Sequence, residues 1–411
     1  GVFFFPATDV ELKQRLQSMA EGVCSKRSIE LIAWRKAPVN MESLGVVARK
    51  TCPEIYHMLL KRPPELDGDA FERQLYLCRR EIERETLEVA AFYIPSFSSR
   101  LISYKALAMP DALRRFYKDF EDPDYQVAIA LYHQRFSTNT FPAWPLGQPF
   151  RMMCHNGEIN TVEGNRNWMS SREEFFESPL WGDDIDLVRN LIREGESDSA
   201  SLDHALELLV LSGRSPEHAM CMLIPPAYRN DESLPEEVRA FYQYIRSYSE
   251  PWDGPAGLVF TDGTKICASL DRNGLRPSRY KLTSDGLLYI GSETGAVVIE
   301  DSRVIRKGRL GPGQMISANT ETGEFKYARE IKEELARQQP YGRWLDENQL
   351  LLRDFVSPDA HEPEVDIEPE SRSRQQVAHG ISQEELDMVF PPMFKGCLLY
   401  TSDAADEYQR V

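Results

Sequence analysis

The feature that most limits the fold of this chain is the placement of its strand-forming runs. They gather into two blocks with a long helical stretch between them. A βαβ repeat would alternate the two kinds of element. Clustering predicts instead the α+β class, with sheets and helices in separate layers. In the first block Val2–Phe5, Ile29–Trp34, Glu54–Leu60, Val89–Ile94 and Leu101–Tyr104 read as strands. Thr8-Asp9 caps a helix whose apolar positions are Val10, Leu12, Leu16, Met19 and Val23. Asp69–Leu87 reads as a charged amphipathic helix and Pro110–Phe120 as a second one. Tyr125–His133 is near-continuously apolar, which predicts a central strand buried on both faces. Phe150–His155 closes the block as a further strand. Helices fill Thr161–Arg246. Strands return at Ala256–Thr261, Lys265–Leu270, Ser278–Leu282, Leu287–Gly291 and Gln314–Ala318.

Charge narrows the partners. The 411 residues carry 48 basic and 65 acidic side chains, a formal charge of −17. Nucleic acid and anionic membranes repel such a chain, so neither is expected as a partner. The apolar runs, such as Val2–Phe5, are far too short to span a bilayer. No charged-then-apolar leader opens the sequence, so a cytoplasmic setting is expected. The seven cysteines are widely spaced and odd in number, and no C-x-x-C pair occurs. They read as reduced, mostly buried thiols, and no metal site is expected.

Both ends are unusual. Gly1-Val2-Phe3-Phe4-Phe5-Pro6 goes straight into an apolar strand without a Met, which points to residues missing upstream. Cys397-Leu398-Leu399-Tyr400-Thr401-Ser402-Asp403-Ala404-Ala405-Asp406-Glu407 resembles the translation of a sequencing-library adaptor. Residues 397–411 are therefore read as non-native. Residues 355–378, acidic and rich in Pro, Ser and Arg, read as a linker. Ile381–Phe394 reads as the start of another unit.

Three stretches are polar where a core has no need of it. They are His133-Gln134-Arg135-Phe136-Ser137-Thr138-Asn139-Thr140, His155-Asn156-Gly157-Glu158-Ile159-Asn160-Thr161, and Glu196-Ser197-Asp198-Ser199. Together they offer what a small zwitterion needs. Arg135 can clamp a carboxylate, and Asp198 can hold an ammonium group. The Asn156 side chain and the Gly157 amide can share a developing oxyanion. Each motif also has a plainer reading: a turn at Asn156-Gly157, a helix cap at Ser197 or Asp198, a surface ion pair at Arg135. The joint occurrence carries the signal. Cys154-His155 is not a thiol–imidazole pair, because strand neighbours point to opposite faces. His133 and His155 lack an i, i+4 partner for a zinc site. Asp271-Arg272-Asn273-Gly274-Leu275-Arg276-Pro277 reads as a hairpin turn whose two arginines can also face a pocket.

The run from His133 to Met169, with Trp144-Pro145, Gln148-Pro149-Phe150-Arg151 and Gly164-Asn165-Arg166-Asn167-Trp168-Met169, resembles the class II amidotransferase domain of the glutamate synthase family. Ser197-Asp198-Ser199 and the Asp271–Pro277 turn fit it. Ile381–Met388 resembles the start of that family's central domain. The resemblance implies an N-terminal-nucleophile (Ntn) hydrolase fold, an αββα four-layer sandwich, here truncated at its N-terminus. It divides the chain into the amidotransferase domain over 1–354, a linker over 355–378, the start of the central domain over 379–396, and the non-native 397–411. It implies glutamine hydrolysis by an N-terminal cysteine, with the ammonia passed on to 2-oxoglutarate for reductive glutamate synthesis. It assigns the glutamine α-carboxylate to Arg135, the α-amine to Asp198, the oxyanion hole to Asn156 and Gly157, and the pocket lining to Thr138 and Phe136. This segment would need no cofactor. FMN and a 3Fe-4S cluster would belong to the downstream part. The implied partners are L-glutamine, the downstream synthase domains, and ferredoxin or an electron-donating small subunit. The implied setting is the cytoplasm, or the plastid stroma in a plant or alga.

The departure is residue 1, a Gly, in a strand that matches the interior of the family domain. None of the seven cysteines matches the nucleophile position, so the chain by itself is expected to be inactive. Two alternatives stand beside this reading. One is another class II amidotransferase. The other is a glutamine-binding protein without chemistry.

Overall fold

The computed structural model describes residues 1–89, 92–136, 141–192, 195–293, 295–351, 355 and 368–394. Two units are distinguished, Gly1–Asn348 and Gln349–Val411.

The first unit begins with strand β1 (Val2–Phe5), helix α1 (Val10–Lys26), β2 (Glu30–Lys36), a short α2 (Val46–Lys50), β3 (Glu54–Lys61), α3 (Gly68–Glu85), β4 (Tyr93–Ser96) and α4 (Pro110–Phe116). The strands form an antiparallel sheet in the order β2-β3-β1-β4. All four residues of β1 are buried, and the period of two divides them between the faces. Phe3 and Phe5 pack with Leu16, Ala20, Leu75 and Cys78 of α1 and α3. Val2 and Phe4 pack with Ile55, Phe116 and Trp144 on the other side. Asp9 and Asp67 cap α1 and α3 by accepting the amides of Leu12 (2.8 Å) and Ala70 (2.7 Å).

The chain continues through β5 (Met153–Gly157), α5 (Val162–Glu173), α6 (Ile185–Val188), α7 (Asp198–Leu211), α8 (Pro216–Leu223), α9 (Glu236–Ile245), β6 (Ala256–Thr261), β7 (Lys265–Leu270), β8 (Arg279–Thr283), β9 (Leu288–Gly291), β10 (Val304–Arg309), β11 (Met315–Asn319), β12 (Phe325–Tyr327), α10 (Ala328–Ala336) and α11 (Tyr341–Asn348). A second antiparallel sheet runs β12-β11-β7-β6-β5, and a third β10-β8-β9. One face of the second sheet, through Met153, Leu258, Phe260 and Cys267, packs on Leu202, Leu206, Met220 and Phe241 of α7, α8 and α9. Its other face, through Ala268, Leu270 and Ile316, packs on Tyr280 and Leu288 of the third sheet. The expected α+β class is what the structure has, and each of the two large sheets carries a helical layer. In the second unit α12 (Pro369–Ala378) lies within the stretch read as a linker. A π-helical turn (Glu385–Val389) and α13 (Phe390–Phe394) follow.

Several expected elements differ. Tyr125–His133 is not a central strand. It is irregular, and Val127 and Tyr132 are exposed. An apolar run reports a tendency to be buried, but a strand also requires a neighbour, and none among the described residues lies in ladder with it. Leu101–Tyr104 is irregular as well. Its amides turn to serines: Leu101 N–H to Ser98 Oγ (3.1 Å) and Ser103 N–H to Ser96 Oγ (3.0 Å). The helix expected to reach Phe120 stops at Phe116. There Tyr117 bridges to Val39 and Lys118 N–H bonds the Pro38 carbonyl (2.9 Å). The Asp271–Pro277 turn is not a hairpin, because β7 and β8 belong to different sheets. The charged helix α3 does not face water alone: Arg79, Arg80 and Glu83 are buried, and Arg79 pairs with Glu83 and with Glu207 of α7.

Candidate functional site

The site is assembled where β5 ends. β5 pairs with β6 so that Asn156 lies opposite Gly257 and Gly157 opposite Ala256. Gly157 sits at φ +149°, and a Cβ there would lie 1.7 Å from the Pro255 carbonyl oxygen. Only glycine lets the two backbones come this close. Glu158 N–H then bonds the same Pro255 oxygen (3.0 Å), which turns the chain out of the strand. The Asn156 side chain, half-buried, makes no hydrogen bond to another described residue.

Helix α7 supplies the second half. Ser197 caps it by accepting Ala200 N–H (3.1 Å), which leaves Asp198 on the first turn. Asp198 Oδ2 accepts the amide of Ile159 (2.7 Å), two residues past Gly157. That bond brings the carboxylate beside the end of β5. Ser199 Oγ donates to Asp198 Oδ1 (3.2 Å) and shares a hydrogen bond with His155 Nδ1 (2.7 Å). His155 is buried, and burial pushes its pKa down to about 4, against the pull of Asp198. It is therefore neutral at pH 7. Gln148 fixes the same strand, accepting His155 N–H (2.7 Å) and donating to its carbonyl (3.1 Å). Arg166, from the Asn165–Trp168 motif, holds the approach to α7 through Ser201 Oγ (3.1 Å) and the Glu196 carbonyl (2.6 Å).

The expected site residues thus fall into two groups. Asn156, Gly157 and Asp198 are brought together. Arg135 and Phe136 lie in the irregular stretch before residue 137. Arg135 is exposed and makes no hydrogen bond or ion pair to Asn156, Gly157 or Asp198 among the described residues. Its charge, after burial, lowers the pKa of the neighbouring His133. The Phe136 ring lies against Gly147. Thr138 lies outside the described residues. Arg276 does reach the site: its Cβ lies 3.1 Å from where Gly257 would carry one, and its charge acts on His155. Arg272 instead pairs outward with Asp253 (2.6 Å). Asp271 is the anchor of that turn, accepting the amides of Ala256 (3.0 Å), Asn273 (2.9 Å) and Gly274 (3.1 Å). A cavity of about 660 Å³ lined by Tyr93, Arg151, Glu196 and His204 lies elsewhere on α7 and, among the described residues, touches none of Arg135, Phe136, Asn156, Gly157 and Asp198.

A strand ending in Asn-Gly, tied to a helix that opens on Asp, is the arrangement expected from the motifs. Comparison with known proteins decides the family: residues 1–344 match the class-II glutamine amidotransferases. The chain belongs to that family. Along its length this chain is similar to ferredoxin-dependent glutamate synthase of rice, at 41% identity over 96% of this chain and 24% of the rice protein. It is similar to the NADPH glutamate synthase large chains of Azospirillum brasilense (39% identity) and Bacillus subtilis (38%), each over 96% of this chain and 26% of theirs. The chain spans about a quarter of the length of these relatives. Among solved structures, a glutamine phosphoribosylpyrophosphate amidotransferase from B. subtilis matches 48% of this chain and 34% of its own, at 19% identity and a TM-score of 0.27.

In this chain the six described cysteines are all buried. Burial pushes the Cys154 thiol well up, away from the thiolate that a nucleophile needs. Cys397 lies outside the described residues. Among those residues no three His, Cys, Asp or Glu side chains are grouped to hold a metal. No described helix is long and apolar enough to cross a membrane.

Proposed function

We propose that this chain is the glutamine-hydrolysing part of a glutamate synthase. L-glutamine would be cleaved to glutamate and ammonia, and the ammonia passed within the longer protein to 2-oxoglutarate. The observation that most supports this is the 2.7 Å bond from Ile159 N–H to Asp198, which sets an ammonium-binding carboxylate beside the Asn156-Gly157 turn.

In this reading the nucleophile is an N-terminal cysteine outside the sequence described here. Its thiolate adds to the glutamine side-chain carbonyl. Asn156 Nδ2–H and Gly157 N–H donate to the oxygen as it gains charge, in a site where such donors need no reorganisation. The tetrahedral adduct collapses, a proton goes to the departing nitrogen, and ammonia leaves. Water then releases glutamate from the thioester. Asp198 holds the α-ammonium and Arg135 the α-carboxylate, with Phe136 and Thr138 along the pocket. The 411-residue chain alone is then inactive. FMN and a 3Fe-4S cluster would belong to the downstream part of the protein; among the described residues no three His, Cys, Asp or Glu side chains are grouped to hold a metal. The electron donor would be ferredoxin or a small subunit, and the setting the cytoplasm or a plastid stroma.

The test is label transfer in the full-length protein. With amide-15N glutamine and 2-oxoglutarate, the label should reach the amine of newly formed glutamate, and Asp198→Ala should raise the KM for glutamine. Label released only as free ammonia would sink the synthase reading. An unchanged KM would remove Asp198 from the site.

A further inference from the structure

Asp203 is an acidic residue in the middle of α7, 1% exposed, on the face that packs against the second sheet. A buried carboxylate is costly unless its oxygens are satisfied. Here they are satisfied by three successive amides at the start of β5. Oδ2 accepts Arg151 N–H (3.0 Å), and Oδ1 accepts Met152 N–H (2.9 Å) and Met153 N–H (3.0 Å). The turn that they form is closed by Phe150 N–H on the Met153 carbonyl (2.9 Å), and Thr261 N–H of β6 bonds the Met152 carbonyl (2.9 Å). The carboxylate thus fixes the point at which the strand begins.

The same helix touches the strand at two further points, through Ser199 to His155 and through Asp198 to Ile159. Helix and strand run in opposite directions, and residues 203, 199 and 198 meet residues 151–153, 155 and 159 in turn. Ser199 and Asp203 are four apart and share one helix face. Between the contacts lie Asn156 and Gly157. Asp198 sits on the rigid helix and the oxyanion donors sit on the strand. Their separation is set by how the two elements are joined, and the three amide bonds to Asp203 are the deepest part of that joint.

We infer that Asp203 is a positioning residue for glutamine hydrolysis: it holds β5 against α7 so that Asn156 and Gly157 meet the developing oxyanion while Asp198 holds the amine. This rests on the amidotransferase reading above. Asp203 touches no substrate. Its effect is on the transition state, because the oxyanion forms only there.

The experiment uses the full-length protein and the variant Asp203→Asn, which keeps the shape but replaces one acceptor oxygen with a donor. Three quantities are measured: kcat and KM for glutamine hydrolysis, and the Ki of glutamate γ-semialdehyde. That aldehyde adds reversibly to the thiol as a tetrahedral adduct resembling the intermediate. The expected result is a kcat lowered about 10- to 100-fold, a KM within about threefold, and a Ki raised by about the same factor as kcat. KM and Ki are read on folded molecules only, so partial unfolding alone would lower kcat and leave the ratio of Ki to KM untouched. That outcome, or an unchanged kcat, overturns the inference. Asp203→Glu, which retains both oxygens on a longer arm, should fall between wild type and Asp203→Asn in the Ki-to-KM ratio. It carries the test if Asp203→Asn does not fold, and a ratio equal to that of wild type would then overturn the inference. If the wild-type protein itself hydrolyses no glutamine, the amidotransferase reading fails and the inference with it. If wild type is active and the ratio does not move, only the inference fails.

Discussion

Two stretches of this molecule carry family motifs at the end of an apolar run, and the structure treats them differently. At β5 the run is laddered to β6 and bound to α7, and the motif Asn156-Gly157 is fixed by a close approach to Pro255. From Tyr125 to Phe136 the run has no ladder among the described residues, and its motif residue Arg135 is exposed. Apolar character is alike in the two. The difference is the number of backbone groups with a fixed partner, because a polar motif is only as well placed as the backbone beneath it.

The sharpest way to break this comparison is at Gly157. Gly157→Ala puts a methyl group into the Pro255 carbonyl at a φ that L side chains rarely adopt. A loss of about 2–4 kcal/mol in the unfolding free energy, read from denaturant titration, is expected, with glutamine hydrolysis in the full-length protein abolished. A variant with wild-type stability would show that the close approach is absent. Next, Asn156→Ala should lower kcat about 10²- to 10³-fold with little change in KM, whereas Arg135→Ala should act mainly on KM. Matching effects from both would erase the distinction between donors that act in the transition state and a residue that binds the ground state.

A titration sharpens the same contrast. Burial holds His155 at about 4 in the folded chain, against about 6.5 when unfolded. Below pH 6.5 the unfolded chain therefore takes up a proton that the folded chain refuses. His155 costs no stability above pH 6.5, and stability falls as the pH drops from about 6.5 to about 4 by up to about 1.4 kcal/mol per unit. Urea unfolding across that window should show the slope, and His155→Gln should reduce it. An unchanged slope would mean that His155 is not buried beside Ser199. The smallest effect is expected in the exposed run. Val127→Ser and Tyr132→Ser should change stability by no more than about 0.5 kcal/mol. A loss of about 2 kcal/mol or more would place that run in a sheet after all.

The strands legible in the sequence were those whose alternation survives in the packing. β1 is the plainest case, with Phe3 and Phe5 to one core and Val2 and Phe4 to another. β6 and β7 lie at the expected residues as well. What failed was pairing. The Asp271–Pro277 turn has the composition of a hairpin, but Asp271 is spent on anchoring Ala256, and the chain crosses to another sheet. At the candidate site, the grouping of Asn156, Gly157 and Asp198 was legible because their chemistry is unusual for strand and helix ends. Asp203 was not singled out, although the signal was present: an acid between Leu202 and Leu206 on an apolar helix face demands buried donors. Arg276 was legible only as one of two arginines. Which of them turned inward was decided by Asp253, which takes Arg272.

The three contacts of α7 with β5 make the helix a ruler. Inserting one residue between Ser199 and Asp203 would rotate everything after it by about 100° and carry Asp203 off the strand. Adding residues to the turn after Leu211 would leave all three marks in register. Length variation in such proteins should therefore pool in the connections and spare the stretch from 197 to 203, whatever amino acids occupy its outward face.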